Sequence, residues 1–317
     1  MNETLSSSVR ALLHRLHGQR PLRGGSLIVT LFGDAIAPRG GVVTLRSLIR
    51  IAKPFRLTER LVRTSVARLA NEDWLVARRD GRQSEYRLTS GGEQRFAEAT
   101  RRIYSAAPAS WNGAWTLLIL PAARRAKREP VRDELRWLGF GQLSPDTFAH
   151  PNCTLEQVKL WLKDLSGAQD ALCLTSSTGS VAVDRRLVRI GWDLGDLTRR
   201  YRRFLKTFEP IESAVANSMS IDSQEALIVR TLLIHEYRKI HLQDPLLPPA
   251  LLPPDWVGTA AYELTRRLYS QVFEAAEGFL SATASTVSEP LPSANPSTYL
   301  RFGGLSPVLS RPVPRRG

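Results

Sequence analysis

The tightest constraint on this chain is Asp80-Gly81, which sits in the middle of an alternating stretch from Trp74 to Leu88. Asp-Gly between two period-two segments tolerates the positive φ angles of a short reversal, so it predicts a β-hairpin. Three helical stretches precede it. Ser26 is placed to cap a helix over Leu27–Ala37, with Leu27, Ile28, Leu31 and Phe32 on one face and Pro38 as the stop. Thr44 caps a second, with Leu45, Leu48, Ile49 and Ile51 inward, ending before Pro54. Thr58 opens a third that runs to Asn71. After the hairpin, Gly91-Gly92 leads into a helix through Phe96, Ala99 and Ile103, closed by Pro108.

Helix, helix, helix, hairpin, helix over residues 26–104 is the order of a winged helix-turn-helix. The helix that follows the turn at Pro54–Leu57 is the one such a module sets in a major groove. Its faces separate by spacing alone. Val62, Val66, Leu69 and Ala70 make the inward side, whereas Arg60, Arg63, Thr64, Ala67, Arg68 and Asn71 recur at helical intervals on the other. Arginines with Thr and Asn carry the donors that read guanine and adenine edges and grip phosphates. The hairpin adds Arg78, Arg79, Arg82 and Arg87, with Arg82 at the tip within reach of backbone or minor groove. Double-stranded DNA is therefore the expected partner. A non-specific RNA or polyanion-binding module is the alternative use of the same charges.

Charge follows the same division. Residues 1–105 carry 19 basic and 9 acidic side chains, whereas residues 191–317 carry 14 and 13, within a formal net charge of +14 for all 317 residues. A cationic excess at one end points to a polyanion bound there. Two cysteines, Cys153 and Cys173, exclude a disulfide scaffold and a four-cysteine zinc site. No apolar run is long enough to span a bilayer, and the N-terminus has no apolar signal core, so a cytoplasmic protein with reduced thiols is expected.

The fold class expected is α+β, in five parts. Residues 1–25 form a lead-in arm with a short helix over Ser6–His17, available for a dimer contact. Residues 26–105 form the winged module. Residues 106–190 read as strand, helix, strand, helix, strand: Trp115–Leu120, a basic helix over Ala126–Leu138, an irregular strand over Leu143–His150, a helix capped by Thr154, and Asp170–Thr175. That succession suggests a small ferredoxin-like sandwich. Trp111 and Trp115 fall on one strand face and serve as core. Residues 191–284 are helical, over Leu194–Phe208, Ser223–Leu242 and Thr259–Ser281, interrupted by a Pro-rich loop from Asp244. Residues 285–317 are rich in Pro, Ser and Gly and are expected to be a disordered tail.

Several runs resemble the PaaX family, repressors of phenylacetate degradation. They are Gly33-Asp34, Pro38-Arg39-Gly40-Gly41, Glu59–Val66, Arg102-Ile103-Tyr104 before Trp111 and Trp115, Arg230–Arg238, and Asp244–Pro248. The similarity spans roughly residues 20–282. It implies a winged-helix reader, a ferredoxin-like middle related to small CRISPR-associated nucleases, and a helical C-terminal domain. It also implies a dimer that represses an operon until an aromatic acyl-CoA, phenylacetyl-CoA, releases it from its operator.

Candidate effector residues lie in the C-terminal section. Arg199, Arg200, Arg202, Arg203 and Lys206 form a basic cluster beside Tyr201 and Trp192, suited to the phosphates and adenine of coenzyme A, or else a solvated face over Phe204. His235, Tyr237 and Arg238 are either effector contacts or hydrogen-bonded core. His235 and His241 are six residues apart and cannot share a helix face, so no metal site is expected. No nucleophile elbow or Gly-rich phosphate loop is present, so no enzyme, cofactor or catalytic residue is expected. The enzyme alternative is a metal-dependent nuclease on the middle section. Its relatives carry an acidic ligand at the end of the first strand, where this chain has Pro121-Ala122-Ala123.

Overall fold

In a computed structural model, which describes residues 2–18, 24–81, 83–107, 110–120, 129–164, 168 and 170–305, the threonines cap as their positions predict. Thr44 Oγ1 accepts the Ser47 amide at 3.2 Å and starts α3 (Leu45–Ala52). Thr58 Oγ1 accepts the Leu61 amide at 3.2 Å and starts α4 (Glu59–Asn71). Before them come α1 (Asn2–Gly18), α2 (Gly24–Leu31) and strand β1 (Val42–Thr44). After them, β2 (Leu75–Asp80) and β3 (Gln83–Leu88) form the hairpin around Gly81, whose φ of +56° is the left-handed value that favours glycine. Thr89 then caps α5 (Ser90–Tyr104) by accepting the Gly92 amide. The short β1 completes an antiparallel sheet in the order β1-β3-β2.

The chain from Trp115 to Ser176 forms a second sheet. Its elements are β4 (Trp115–Ile119), α6 (Glu129–Trp137), β5 (Gly141–Ser144), β6 (Thr147–His150), α7 (Leu155–Asp164) and β7 (Leu172–Ser176). The segment expected as one irregular strand is a hairpin, because Pro145 and Asp146 break it into β5 and β6. The strand order is β5-β6-β4-β7, all antiparallel. One sheet face packs Leu118, Phe148 and Cys173 against Val131, Leu135 and Val158 of the two helices. The other packs Trp115 and Ala149 against Val188, Leu247 and Leu251. Trp111 and Trp115 meet edge to face in that second core. Burial raises the Cys153 thiol to about 12, so it stays protonated at neutral pH.

The helices that follow are α8 (Val181–Gly191), α9 (Leu194–Ala216), α10 (Ser223–His241) and α11 (Val257–Thr283). α8 adds a helix between β7 and α9 that the sequence reading leaves out. α9 runs past its expected end at Phe208 and through Pro210, because Ile211, Ala214 and Val215 continue its buried face. The chain groups into two compact units. One holds the N-terminal elements through Ser105 with Phe204–Arg238 and the chain from Ala261 onward; the other holds Ala106–Arg203 and Lys239–Ala260.

Inside the first unit the helix expected over Leu27–Ala37 is α-helical only to Leu31. Phe32–Ile36 is a π-helical turn, and Ala37–Arg39 a 3-10 turn. Ser26 lies within α2 rather than capping it; its carbonyl and hydroxyl both accept from Arg238 at 2.8 Å. The π turn carries Asp34, which is 2% exposed. Arg230 Nε donates to Asp34 Oδ2 at 2.7 Å and Arg301 Nη1 to Oδ1 at 3.0 Å. Tyr104 and Tyr269 donate their phenolic protons to Oδ1 at 2.6 and 2.8 Å. Arg230 and Arg301 also donate to the Asp34 carbonyl, which the π turn leaves available. Glu277 pairs with Arg230 at 2.6 Å and with Arg39.

Two expectations are corrected here. The lead-in helix is not a free arm: Leu5, Val9, Leu12, Leu13 and Leu16 are buried, and Ser6 donates to Glu225 at 2.6 Å. The expected disorder does not hold over residues 285–305. Leu291, Thr298, Arg301 and Phe302 are buried, Pro296–Gly303 forms 3-10 turns, and Phe302 stacks edge-on with Tyr104 and Tyr269. An aromatic and an ion-paired arginine supply the anchoring that Pro-rich composition does not advertise. The rest of the expected tail, 306–317, lies outside the described residues.

Burial alone would raise the Asp34 carboxyl, but Arg230 and Arg301, with the two tyrosines, outweigh it and hold it below the ordinary carboxylate value of 3.8. Its folded value is thus lower than its unfolded one. The stability it contributes is present above 3.8 and lost as pH falls through the depressed folded value. Asp34→Asn is expected to destabilise by about 3–5 kcal/mol at pH 7, because it strands two buried guanidinium groups. It should also flatten the acid limb of stability against pH. Urea denaturation across pH checks both; an unchanged acid limb in the variant would contradict the assignment.

Candidate nucleic-acid interface

Helix α4 divides as its spacing predicts. Val62, Ser65, Val66 and Leu69 are buried, whereas Arg60, Arg63, Thr64, Ala67, Arg68 and Asn71 are exposed. Ala70 is half-buried at the boundary. The buried side packs against α2 and α3 and the hairpin, so the polar side is turned outward by the same apolar contacts that hold the helix. Thr64 Oγ1 donates to the Arg60 carbonyl at 2.9 Å, leaving its lone pairs as an acceptor.

Two carboxylates share this surface. Glu59 accepts from Arg63 Nη2 at 2.5 Å and from Nε at 2.9 Å. Glu72 lies 3.6 Å from Arg68. Both are four residues from their partners, a spacing at which pairing on a helix is expected, so the signal was in the sequence. These pairs are exposed and screened, so they hold the guanidinium groups in place weakly and release them at small cost.

The hairpin arginines separate by strand register. Arg78 stands opposite Glu85, and Arg87 opposite Val76, so Arg78 and Arg87 share one sheet face. Arg79 stands opposite Ser84 and shares the other face with Leu75 and Leu88, the face toward the helices. All three are exposed. Arg82 lies outside the described residues.

The expected effector residues are largely internal. Tyr201 is fully buried and donates to Asp244 Oδ2 at 2.8 Å, with His241 Nδ1 at 3.2 Å. Tyr237 is fully buried against Phe204, and His235 Nδ1 lies 2.9 Å from Thr30 Oγ1. Arg238 donates from Nε to Thr30 Oγ1 at 2.8 Å, and burial lowers its pKa. His235 and Arg238 tie α10 to α2, and the side chains of Tyr201, His235 and Tyr237 are buried. Arg199 and Arg200 both lean on Asp196, at 3.1 and 3.6 Å, while Arg203 is exposed. Among the described residues no group of three or more His, Cys, Asp or Glu side chains is arranged to hold a metal ion. The stretch 121–128, where the nuclease alternative needs its acidic ligand, lies outside them. No helix among the described residues is long and apolar enough to cross a membrane.

Three family models cover most of the chain. Residues 23–92 match "PaaX-like protein", residues 108–188 the "PaaX protein central Cas2-like domain", and residues 192–282 the "PaaX-like protein C-terminal domain". The chain is 34% identical over 290 residues to "Transcriptional repressor PaaX" of Escherichia coli strain K12, an alignment covering 90% of this chain and 92% of that one. In structure it resembles "Uncharacterized protein Rv0674 from Mycobacterium tuberculosis" with a TM-score of 0.50 and 22% identity, over 85% of this chain and 96% of the other. That likeness speaks to fold alone.

Removing the Thr58 cap by Thr58→Ala is expected to lower stability by about 1 kcal/mol. Breaking the exposed pair by Glu59→Gln should change it by less than about 0.5 kcal/mol. Chemical denaturation of both variants tests this ordering.

Proposed function

The chain belongs to the PaaX family, and from that premise we propose that it is a transcriptional repressor whose α4 reads operator DNA. The N-terminal elements then act as a winged helix-turn-helix, and the protein regulates transcription rather than catalysing a reaction. The observation that carries this reading is the division of α4 into a buried apolar side and an exposed side bearing Arg60, Arg63, Thr64, Arg68 and Asn71. Arginine forks address guanine edges and phosphates, and Asn71 and Thr64 supply amide and hydroxyl contacts. The carboxylates of Glu59 and Glu72 hold Arg63 and Arg68 extended until the stronger field of the phosphates takes them.

Arg79, on the helix side of the hairpin, joins the phosphate contacts, and so does Arg82 in this reading. Arg78 and Arg87 point from the opposite face and are left out of the DNA contact. A homodimer would place two such helices on the half-sites of a palindromic operator. An aromatic acyl-CoA, phenylacetyl-CoA in this reading, ends repression by binding the DNA-incompetent arrangement more tightly than the competent one.

The test is a gel-shift with duplex from the promoter beside the protein's own gene, across salt concentrations and with phenylacetyl-CoA added. Retardation should be confined to that duplex and weaken with salt, with a log–log slope of about −0.9 per phosphate neutralised. Arg63→Ala should lose about 1–3 kcal/mol of specific binding. Equal retention of any polyanion would replace the operator reading with a non-specific one, and unchanged operator affinity in Arg63→Ala would remove Arg63 from the interface.

A further inference from the structure

The face of the first sheet that carries Arg78 and Arg87 is not bare. The chain after α11 crosses it: the Thr44 amide donates to the Ser285 carbonyl at 3.2 Å, and the Val287 amide donates to Glu85 Oε1 at 2.9 Å. Further on, the Asn295 amide donates to the Pro38 carbonyl at 2.8 Å. Two hollows lie between this segment and the N-terminal elements, and Gly40 borders both.

The first hollow measures about 380 Å³ and has an apolar wall of Ala37, Leu88, Phe96 and Ala97, with Thr100 beside them and the charged groups of Glu93 and Arg301 also on its lining. An apolar cavity of roughly 150 Å³ already admits benzene, so a ring-sized group fits here. Gly41, with a φ of +68°, lets the backbone pass close to Leu88 at its rim; a Cβ there would stand 2.9 Å from the Leu88 side chain.

The second hollow, also about 380 Å³, is lined by Arg39, Arg78 and Arg87, with Glu85 and Glu289 as its carboxylates. Arg39 is 3% exposed. Its terminal nitrogens donate to Glu277 and to the Pro292 carbonyl, yet its buried Nε has no acceptor among the described residues. Among the described residues the buried cluster behind it is unbalanced: the cations Arg39, Arg230 and Arg301 pair with the carboxylates Asp34 and Glu277. An uncompensated buried cation is costly, and an anion in the adjoining hollow relieves it.

We propose that the two hollows are one bipartite ligand site, taking an organic anion whose apolar, ring-sized group enters beside Phe96 and whose carboxylate or phosphate meets Arg39, Arg78 and Arg87. The site is built from the N-terminal elements and from residues 286–301, so an occupant bridges the two. Its role as the switch that frees the operator rests on the repressor reading above. The site differs from every effector residue expected from sequence. Two sources supply this chemistry, a free aromatic carboxylate and its nucleotide thioester.

Titration calorimetry on the full chain with phenylacetate, phenylacetyl-CoA and coenzyme A tests it. At least one of the two phenyl-bearing probes should bind, and which one identifies the source. Ala97→Trp, which fills the apolar half, and Arg87→Gln, which removes a cation, should each weaken that binding at least tenfold. If Ala97→Trp does not fold, Thr100→Phe obstructs the same wall. Binding by neither phenyl-bearing probe, undiminished binding in both variants, or coenzyme A binding as tightly as its phenylacetyl thioester would each overturn the proposal. A protein that binds the ligand but retards no duplex keeps the site and loses the repressor reading; one that retards the operator but binds no probe does the reverse.

Discussion

The distant segments of the first unit meet at one buried carboxylate. Asp34 is buried where a lone charge is untenable, and it is made tenable by two arginines and two phenols drawn from α5, α10, α11 and the segment after α11. The segments that meet there lie as far as 267 positions apart in sequence. Replacing such a cluster by apolar residues can leave stability unchanged, so its value is in what it specifies. Its donors come from segments far apart in sequence, so pairing them with Asp34 sets the N-terminal elements on the C-terminal helices. The π turn is part of this, because it exposes a carbonyl that two guanidinium groups then share.

The same cluster explains why a Pro-rich terminal stretch is ordered. Arg301 sits over the Tyr104 ring, 4.1 Å from its centroid, and donates to both Asp34 and the Tyr269 hydroxyl. Phe302 closes the aromatic surround. With its end anchored in the core, the intervening chain is drawn across the sheet face. A hairpin face that would otherwise be solvated becomes one wall of a cleft. The basic surface thereby separates into an exposed α4 side and a sheet side that this segment partly covers.

The N-terminal module was the most legible part. Thr44 and Thr58 cap where they were read to cap, because a hydroxyl ahead of an amphipathic run is a local signal. Asp80-Gly81 turned the hairpin, and the inward and outward positions of α4 followed the helical period. The pairing of Arg63 with Glu59 is encoded too, by a spacing of four residues on one helix. By contrast β1 has three residues and exists because β3 offers it a partner, while β5 and β6 are divided by a turn whose residues carry no Asp-Gly mark. The expected effector tyrosine and histidine, Tyr201 and His235, carried the right chemistry but were consumed by internal hydrogen bonds.

What the amino-acid order decided by itself was whatever depends on neighbours within a turn or two: caps, hairpin, apolar stripes and the basic excess of the first 105 residues. What only the folded chain decided was which charges are spent internally and which remain for partners. Asp34, Arg230 and Arg301 are ordinary surface types in the sequence, and their burial follows from contacts between distant segments. A side chain's partner across the chain is set by the packing of whole elements, and no local period encodes it.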